Sequence, residues 1–209
     1  MVNELIRLPE ADVTVRSQGV RPTCLAFALS DLNYQLANDH LSPEYLYRTA
    51  ALSLQNWKPH DGMTWDSAIA AAKIGQPLEA SFPYQEDEPP LPIPPLPRRL
   101  PLHVNSIGLQ QNRFDNIVLR LRKNTPTGLA LRLTHELYAP QNGMVSFSDL
   151  VVPGMLHAVV VVGYGATPDS KQWLLIRNSW GAPWGDGAGR AWICESYILT
   201  HSIFAFGVS

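Results

Sequence analysis

Between Glu86 and Pro101 the chain carries Pro89-Pro90-Leu91-Pro92-Ile93-Pro94-Pro95-Leu96-Pro97, through which neither a helix nor a central strand can run. Each proline fixes its own φ and lacks an N–H, so the hydrogen-bond ladders of both structures fail there. The stretch is expected to be extended, polyproline II-like and at the surface. It divides the 209-residue chain into two parts that must find their regular structure separately. It also contains a P-x-x-P-x-R pattern, Pro94 to Arg99, which resembles ligands of SH3-type domains and marks segment 89–99 as a candidate partner site. Such patterns recur by chance in Pro-rich stretches, and the plainer reading is a stiff connection.

The part before it reads as helical. Cys24-Leu25-Ala26-Phe27-Ala28-Leu29-Ser30-Asp31-Leu32 is apolar nearly all round, which predicts a buried helix with Thr23 or a neighbour as its N-cap. Ser42-Pro43-Glu44 announces a second helix: a capping hydroxyl, a proline in the first turn, then an acid. A third starts near Thr64 and stops at Gly75. The part after it opens with helical spacing over Arg113–Lys123, where Phe114, Ile117, Val118 and Leu121 share one face. Its texture then turns to strand, in Ala158–Val162, Trp173–Ile176 and Phe204–Gly207. Helices first and strands afterwards predict an α+β protein, with a helical part over 18–85, a Pro-rich connection over 86–101 and a β-rich part over 102–200.

A net charge of −2 and no block of like charge give no electrostatic basis for a nucleic-acid or membrane-surface partner. The longest apolar run, Ala158–Val162, is far too short to span a bilayer, and Met1–Asp12 lacks the pattern of a Sec-type signal. Two cysteines, Cys24 and Cys194, fit a reducing, cytoplasmic setting better than a disulfide framework, although one bridge stays open. Cys194 reads as structural, and the remaining histidines match no metal-ligand spacing, so no metal or organic cofactor is expected.

Three segments carry chemistry: Gln18-Gly19-Val20-Arg21-Pro22-Thr23-Cys24; His157-Ala158 with Gly163-Tyr164-Gly165; and Asn178-Ser179-Trp180-Gly181 followed by Trp184-Gly185. A thiol attacks only as the thiolate, and a helix N-terminus together with a neighbouring imidazolium lowers its pKa. The imidazole needs an acceptor to orient it, and the developing oxyanion needs fixed donors, each worth about 10²–10³ in rate. Glutamine, cysteine six residues later, His-Ala before Gly-Tyr-Gly, then Asn-Ser-Trp-Gly resemble, in that order, the papain family of cysteine peptidases over nearly the whole chain.

The resemblance implies a papain-like fold whose halves meet at a cleft, and hydrolysis of a peptide or protein substrate through a thioester acyl-enzyme. It implies Cys24 as nucleophile, His157 as acid and base, Asn178 as the residue that orients it, and Gln18 in the oxyanion hole. Trp180 is implied to shield the Asn–His bond. Gly62, Met63 and Trp65 are implied to edge the substrate groove with Trp180, and Met63, Ala130, Met155 and Ala158 to form an apolar specificity pocket. The family usually reads Gly-Ser-Cys-Trp where this chain has Pro22-Thr23-Cys24-Leu25, so the subsite beside the cut is expected to be narrower. The usual disulfide cysteines are missing, and Cys24 is too near Met1 to leave room for an inhibitory propeptide ahead of it, so control is expected from elsewhere. Two other readings remain: an acyl-transfer enzyme on the same fold, and a binding protein built on an inactive peptidase.

Overall fold

The computed structural model describes residues 1–208, which form two compact units: 18–108 with 208, and 1–17 with 109–207. The boundary after Gly108 lies beyond the expected end of the Pro-rich connection, and the first seventeen residues belong to the β-rich unit.

In the helical unit, α1 (Cys24–Leu32) is buried from Ala26 to its end, as its all-round apolar surface requires. Thr23 is the N-cap residue, but its hydroxyl does not cap the helix; it engages the Tyr84 hydroxyl at 2.8 Å instead. A short turn, α2 (Tyr34–Ala37), leads to α3 (Pro43–Ser53), where Ser42 Oγ accepts from the Tyr45 N–H at 3.0 Å. α4 (Trp65–Ile74) starts with a reciprocal capping box between Thr64 and Ser67 and ends at Gly75, whose φ of +103° suits a residue without Cβ. The Pro-rich segment forms neither helix nor strand and is mostly exposed. It is tied to this unit by Arg48, which donates to the Pro94 carbonyl at 2.7 Å, and the chain rejoins the helices through paired backbone bonds between Gln76 and His103.

The β-rich unit is a single sheet with the order β8–β3–β5–β6–β7–β4, entered at its edge by β2 (Ile107–Gln110). Its strands are β3 (Thr127–Thr134), β4 (Met144–Val145), β5 (Val151–Ala166), β6 (Gln172–Arg177), β7 (Arg190–Cys194) and β8 (Ser202–Val208). All pairings within that order are antiparallel except β4 with β7. β5 is much longer than the run Ala158–Val162 that announces it, and its burial begins at His157. Before that residue it is mostly exposed; after it, alternate residues Val159 and Val161 enter a core with Leu129, Leu131, Leu174 and Ile176. α5 (Phe114–Arg122) covers that core with its four expected apolar residues. The short α6 (His135–Tyr138) and α7 (Glu195–His201) complete the unit.

One further strand, β1 (Asn3–Arg7), pairs antiparallel with β5, placing Asn3 opposite Ala166 and Arg7 opposite Gly163. Here the Gly-Tyr-Gly signature has a physical reason. A Cβ on Gly163 would lie 2.8 Å from the Ile6 carbonyl oxygen, and one on Gly165 2.6 Å from that of Asn3, so only glycine admits the neighbouring backbone. No helix among the described residues is long and apolar enough to cross a membrane.

Candidate active site

Gln18, Cys24, Gly62, Met63 and Trp65 lie in the helical unit; His157, Asn178, Trp180, Ala130, Met155 and Ala158 lie in the β-rich unit. Each group is assembled by its own unit.

In the β-rich unit, His157 stands where β5 enters the core and is 4% exposed. Its Nε2 is 2.6 Å from Asn178 Oδ1, just past the end of β6. The Ser179 N–H donates to the same Oδ1 at 2.7 Å, which identifies that atom as the amide oxygen. An oxygen there can only accept, so Nε2 carries a proton, and in the neutral ring Nδ1 holds the basic lone pair. Burial pulls the imidazole down from 6.5 to about 4, against the Asn178 hydrogen bond that favours the charged form. Trp180 covers this pair, its ring 4.4 Å from that of His157. It is held in turn by Tyr138, stacked at 5.3 Å with 5° between the planes, and by the edge of Trp184 at 5.8 Å. The Gly181 N–H donates to the Arg16 carbonyl, and Ser17 forms a bridge to Trp180, so the N-terminal segment braces the same corner. Ala130 and Ala158 are direct cross-strand partners, both buried and both small. Met155 lies on the projecting part of β5 and is 45% exposed.

In the helical unit, Cys24 is the first residue of α1 and is half-buried. At that position the unsatisfied N–H groups of the first turn and the helix dipole favour an anion. Gln18 is buried, and its Nε2 donates to the Arg21 carbonyl at 2.7 Å; that bond uses one of its two amide hydrogens. Gly62, with φ +73°, faces Pro22: a Cβ there would come within 3.4 Å of the Pro22 carbonyl oxygen. Met63 and Trp65 are half-buried, Trp65 as the first residue of α4. Neither Cys24 nor Cys194 is in a disulfide, and Cys194 Sγ lies 3.3 Å from Ser196 Oγ. Among the described residues no group of His, Cys, Asp or Glu is arranged to hold a metal ion.

The sequence reading missed two supports. Tyr138, the stacking partner of Trp180, stands forty-two residues away from it with no signal of its own. Arg21 and Tyr84 tie down the loop before Cys24, and only the pairing of Arg21 with distant acids reveals that it is buried.

Comparison with known proteins gives a consistent family. Ananain of Ananas comosus is 32% identical over 79 residues, covering 38% of this chain and 22% of that protein. Cysteine endopeptidase Rep1 of Oryza sativa subsp. japonica is 52% identical over 98 residues, covering 43% and 24% respectively. These matches span only about a quarter of the relatives' length. Among solved structures, digestive procathepsin L 3 of Tenebrio molitor superposes with a TM-score of 0.76 at 20% identity, over 95% of this chain and 67% of that one. Xylellain, a cysteine protease from Xylella fastidiosa, gives 0.74 at 16% identity, over 99% and 87%. Both share the α+β papain-like fold. The sequence model described as papain family cysteine protease matches residues 61–198, a stretch that includes His157 and Asn178 and begins after the atypical Pro22-Thr23-Cys24-Leu25. With about two thirds of its length inside that match, the chain belongs to the papain family of cysteine proteases.

Proposed function

We propose that the protein is an active cysteine endopeptidase in which Cys24 is the nucleophile and His157 the acid and base. The observation that carries the reading is the buried His157–Asn178 pair, whose amide orientation leaves Nδ1 of the imidazole for proton transfer. In the proposed reaction His157 Nδ1 takes the Cys24 proton, and the thiolate adds to the scissile carbonyl. The N–H of Gln18 and the backbone N–H of Cys24 receive the oxyanion. The imidazolium then protonates the leaving amine as the C–N bond breaks, leaving a thioester. Water, deprotonated by the same nitrogen, adds to the thioester, and the thiolate leaves to free the acid. In the same proposal Met63, Ala130, Met155 and Ala158 form an apolar pocket that favours an apolar side chain two residues before the cut, a reading supported by the pairing of the small, buried Ala130 and Ala158. A cytoplasmic setting belongs to the same proposal, supported by two cysteines and an N-terminal segment without a Sec-type pattern; secretion by another route is the alternative.

Labelling with an epoxide inhibitor of papain-like enzymes tests the reading. Wild type is expected to take up one equivalent and Cys24→Ala none; an unlabelled wild type overturns it. Product masses from a peptide mixed with an amine acceptor separate hydrolysis from acyl transfer.

A further inference from the structure

The loop from Gln18 to Thr23 holds Gln18 and leads into Cys24, two of the groups assigned above to the chemistry, and it turns outward only at Gly19 and Val20. Gly19 sits at φ +59°, and Val20 is 92% exposed. Its most deeply buried long side chain is a charged one: Arg21 is 1% exposed. Its guanidinium lies 2.6 Å from Glu44 Oε2 and 3.6 Å from Glu88 Oε2, and it also donates to the Gln85 carbonyl. It lies over the rings of Tyr47 and Tyr84, 4.9 Å from each centroid. A planar, forked cation can meet carboxylates, a carbonyl and aromatic faces at once; a lysine cannot.

The backbone of the same residue holds the loop. The Arg21 carbonyl accepts from Gln18 Nε2 at 2.7 Å and from the Thr23 N–H at 2.8 Å. Tyr84 acts in parallel. Its hydroxyl donates to the Gln18 carbonyl at 2.8 Å, so the Thr23 hydroxyl, also 2.8 Å away, must donate to it. Gln18 and Thr23, the residue just before α1, are thus tied to the Arg21 carbonyl and to a ring beneath its guanidinium.

We propose that Arg21 is a positioning residue for the reaction: its buried ion cluster with Glu44 and Glu88 fixes the loop that presents Gln18 and the N-terminus of α1 at Cys24. This rests on the peptidase reading above. Misplacement of a reacting group by about 1 Å can cost on the order of 100-fold in rate. The anchor is directional, because the guanidinium meets the carboxylates, the carbonyl and both rings in one placement.

The test measures turnover per epoxide-titrated site, so that loss of folded protein does not count as loss of catalysis. Arg21→Lys keeps the charge and loses the fork and the planar face. Tyr84→Phe leaves the ion cluster in place and removes only the hydroxyl ties. If Arg21→Lys folds poorly, Arg21→Met with Glu44→Gln and Glu88→Gln leaves no buried charge unpaired. Each variant is expected to lose about tenfold or more in kcat per titrated site, with KM within about twofold of wild type. Hydrogen exchange at the Thr23 amide is expected to speed up in parallel. Unchanged kcat per titrated site and unchanged Thr23 protection, in variants that label fully, overturn the role of Arg21 and leave the peptidase reading standing. A wild type that neither labels nor hydrolyses overturns the peptidase reading and with it any catalytic role for the clamp, whatever the exchange data show.

Discussion

His157 is the residue whose environment gives the sharpest prediction. Burial holds its imidazole near 4 instead of 6.5, with the Asn178 bond only partly opposing. That difference corresponds to about 3 kcal/mol against the charged ring. Left to these two influences, His157 is neutral at pH 7. For the proposed thiolate–imidazolium pair to exist at neutral pH, the thiolate must raise the ring by at least about three units, or about 4 kcal/mol. One anion at ~4 Å with an effective dielectric constant of ~20 supplies about that much. Replacing Cys24 by Ala removes the anion, and the ring should then titrate near 4. NMR of the labelled imidazole measures this directly, with His157→Gln assigning the signal. In wild type, the ring is expected to titrate about three units higher, near 7.

The same shift fixes the pH dependence of stability. In Cys24→Ala the folded-state pKa lies below the unfolded value, so protons bind the unfolded chain first as pH falls. The penalty is absent above about 6.5 and grows to about 3 kcal/mol as pH falls through 4; Cys24→Ala/His157→Gln lacks that slope. Trp180→Ala in the Cys24→Ala background opens the ring to water and should raise its pKa toward 6.5. A value at or above 6.5 in Cys24→Ala would show that burial does not govern the ring. Equal values with and without the thiol would show that Cys24 is not its partner.

Ser42→Ala removes both the cap on Tyr45 N–H and a 2.6 Å bond to the Phe82 carbonyl; it should cost about 1–2 kcal/mol in urea unfolding, and a loss below about 0.3 would contradict the geometry. Profiling with a peptide library should show an apolar preference two residues before the cut, and a clear choice of Lys or Asp there would refute the assigned pocket.

The features legible in the sequence are those set by near neighbours. Ser42-Pro43, Thr64 and Gly75 mark helix ends through contacts within one turn, and Phe114, Ile117, Val118 and Leu121 mark a helix face by spacing alone. His157 and Asn178 were legible because the motifs around them are specific, and the fold brings those two together. Features that depend on distant partners were not. Thr23 has a capping residue's side chain at a capping position, yet its hydroxyl is drawn to Tyr84, sixty-one residues away. Arg21 is buried only because it meets Glu44 and Glu88, twenty-three and sixty-seven residues away. Asn3–Arg7 is short and mostly exposed, so no alternation distinguishes it; only the two glycines opposite, at 163 and 165, record that a strand lies there.

That N-terminal strand also bears on how the chain is made. Apart from Val208 the helical unit is one continuous stretch, 18–108, whereas the β-rich unit takes residues from both sides of it. On a ribosome residues 18–108 emerge together, but Asn3 has no β5 partner until Ala166 is made, 163 residues later. At ~5–20 residues per second that delay is roughly ten to thirty seconds. Through it, Asn3–Arg7 carries Glu4 and Arg7, charged residues of the kind that discourage edge-to-edge pairing. The β-rich unit, and with it the His157 corner braced by Arg16 and Ser17, is complete only once β1 has met the far half of β5.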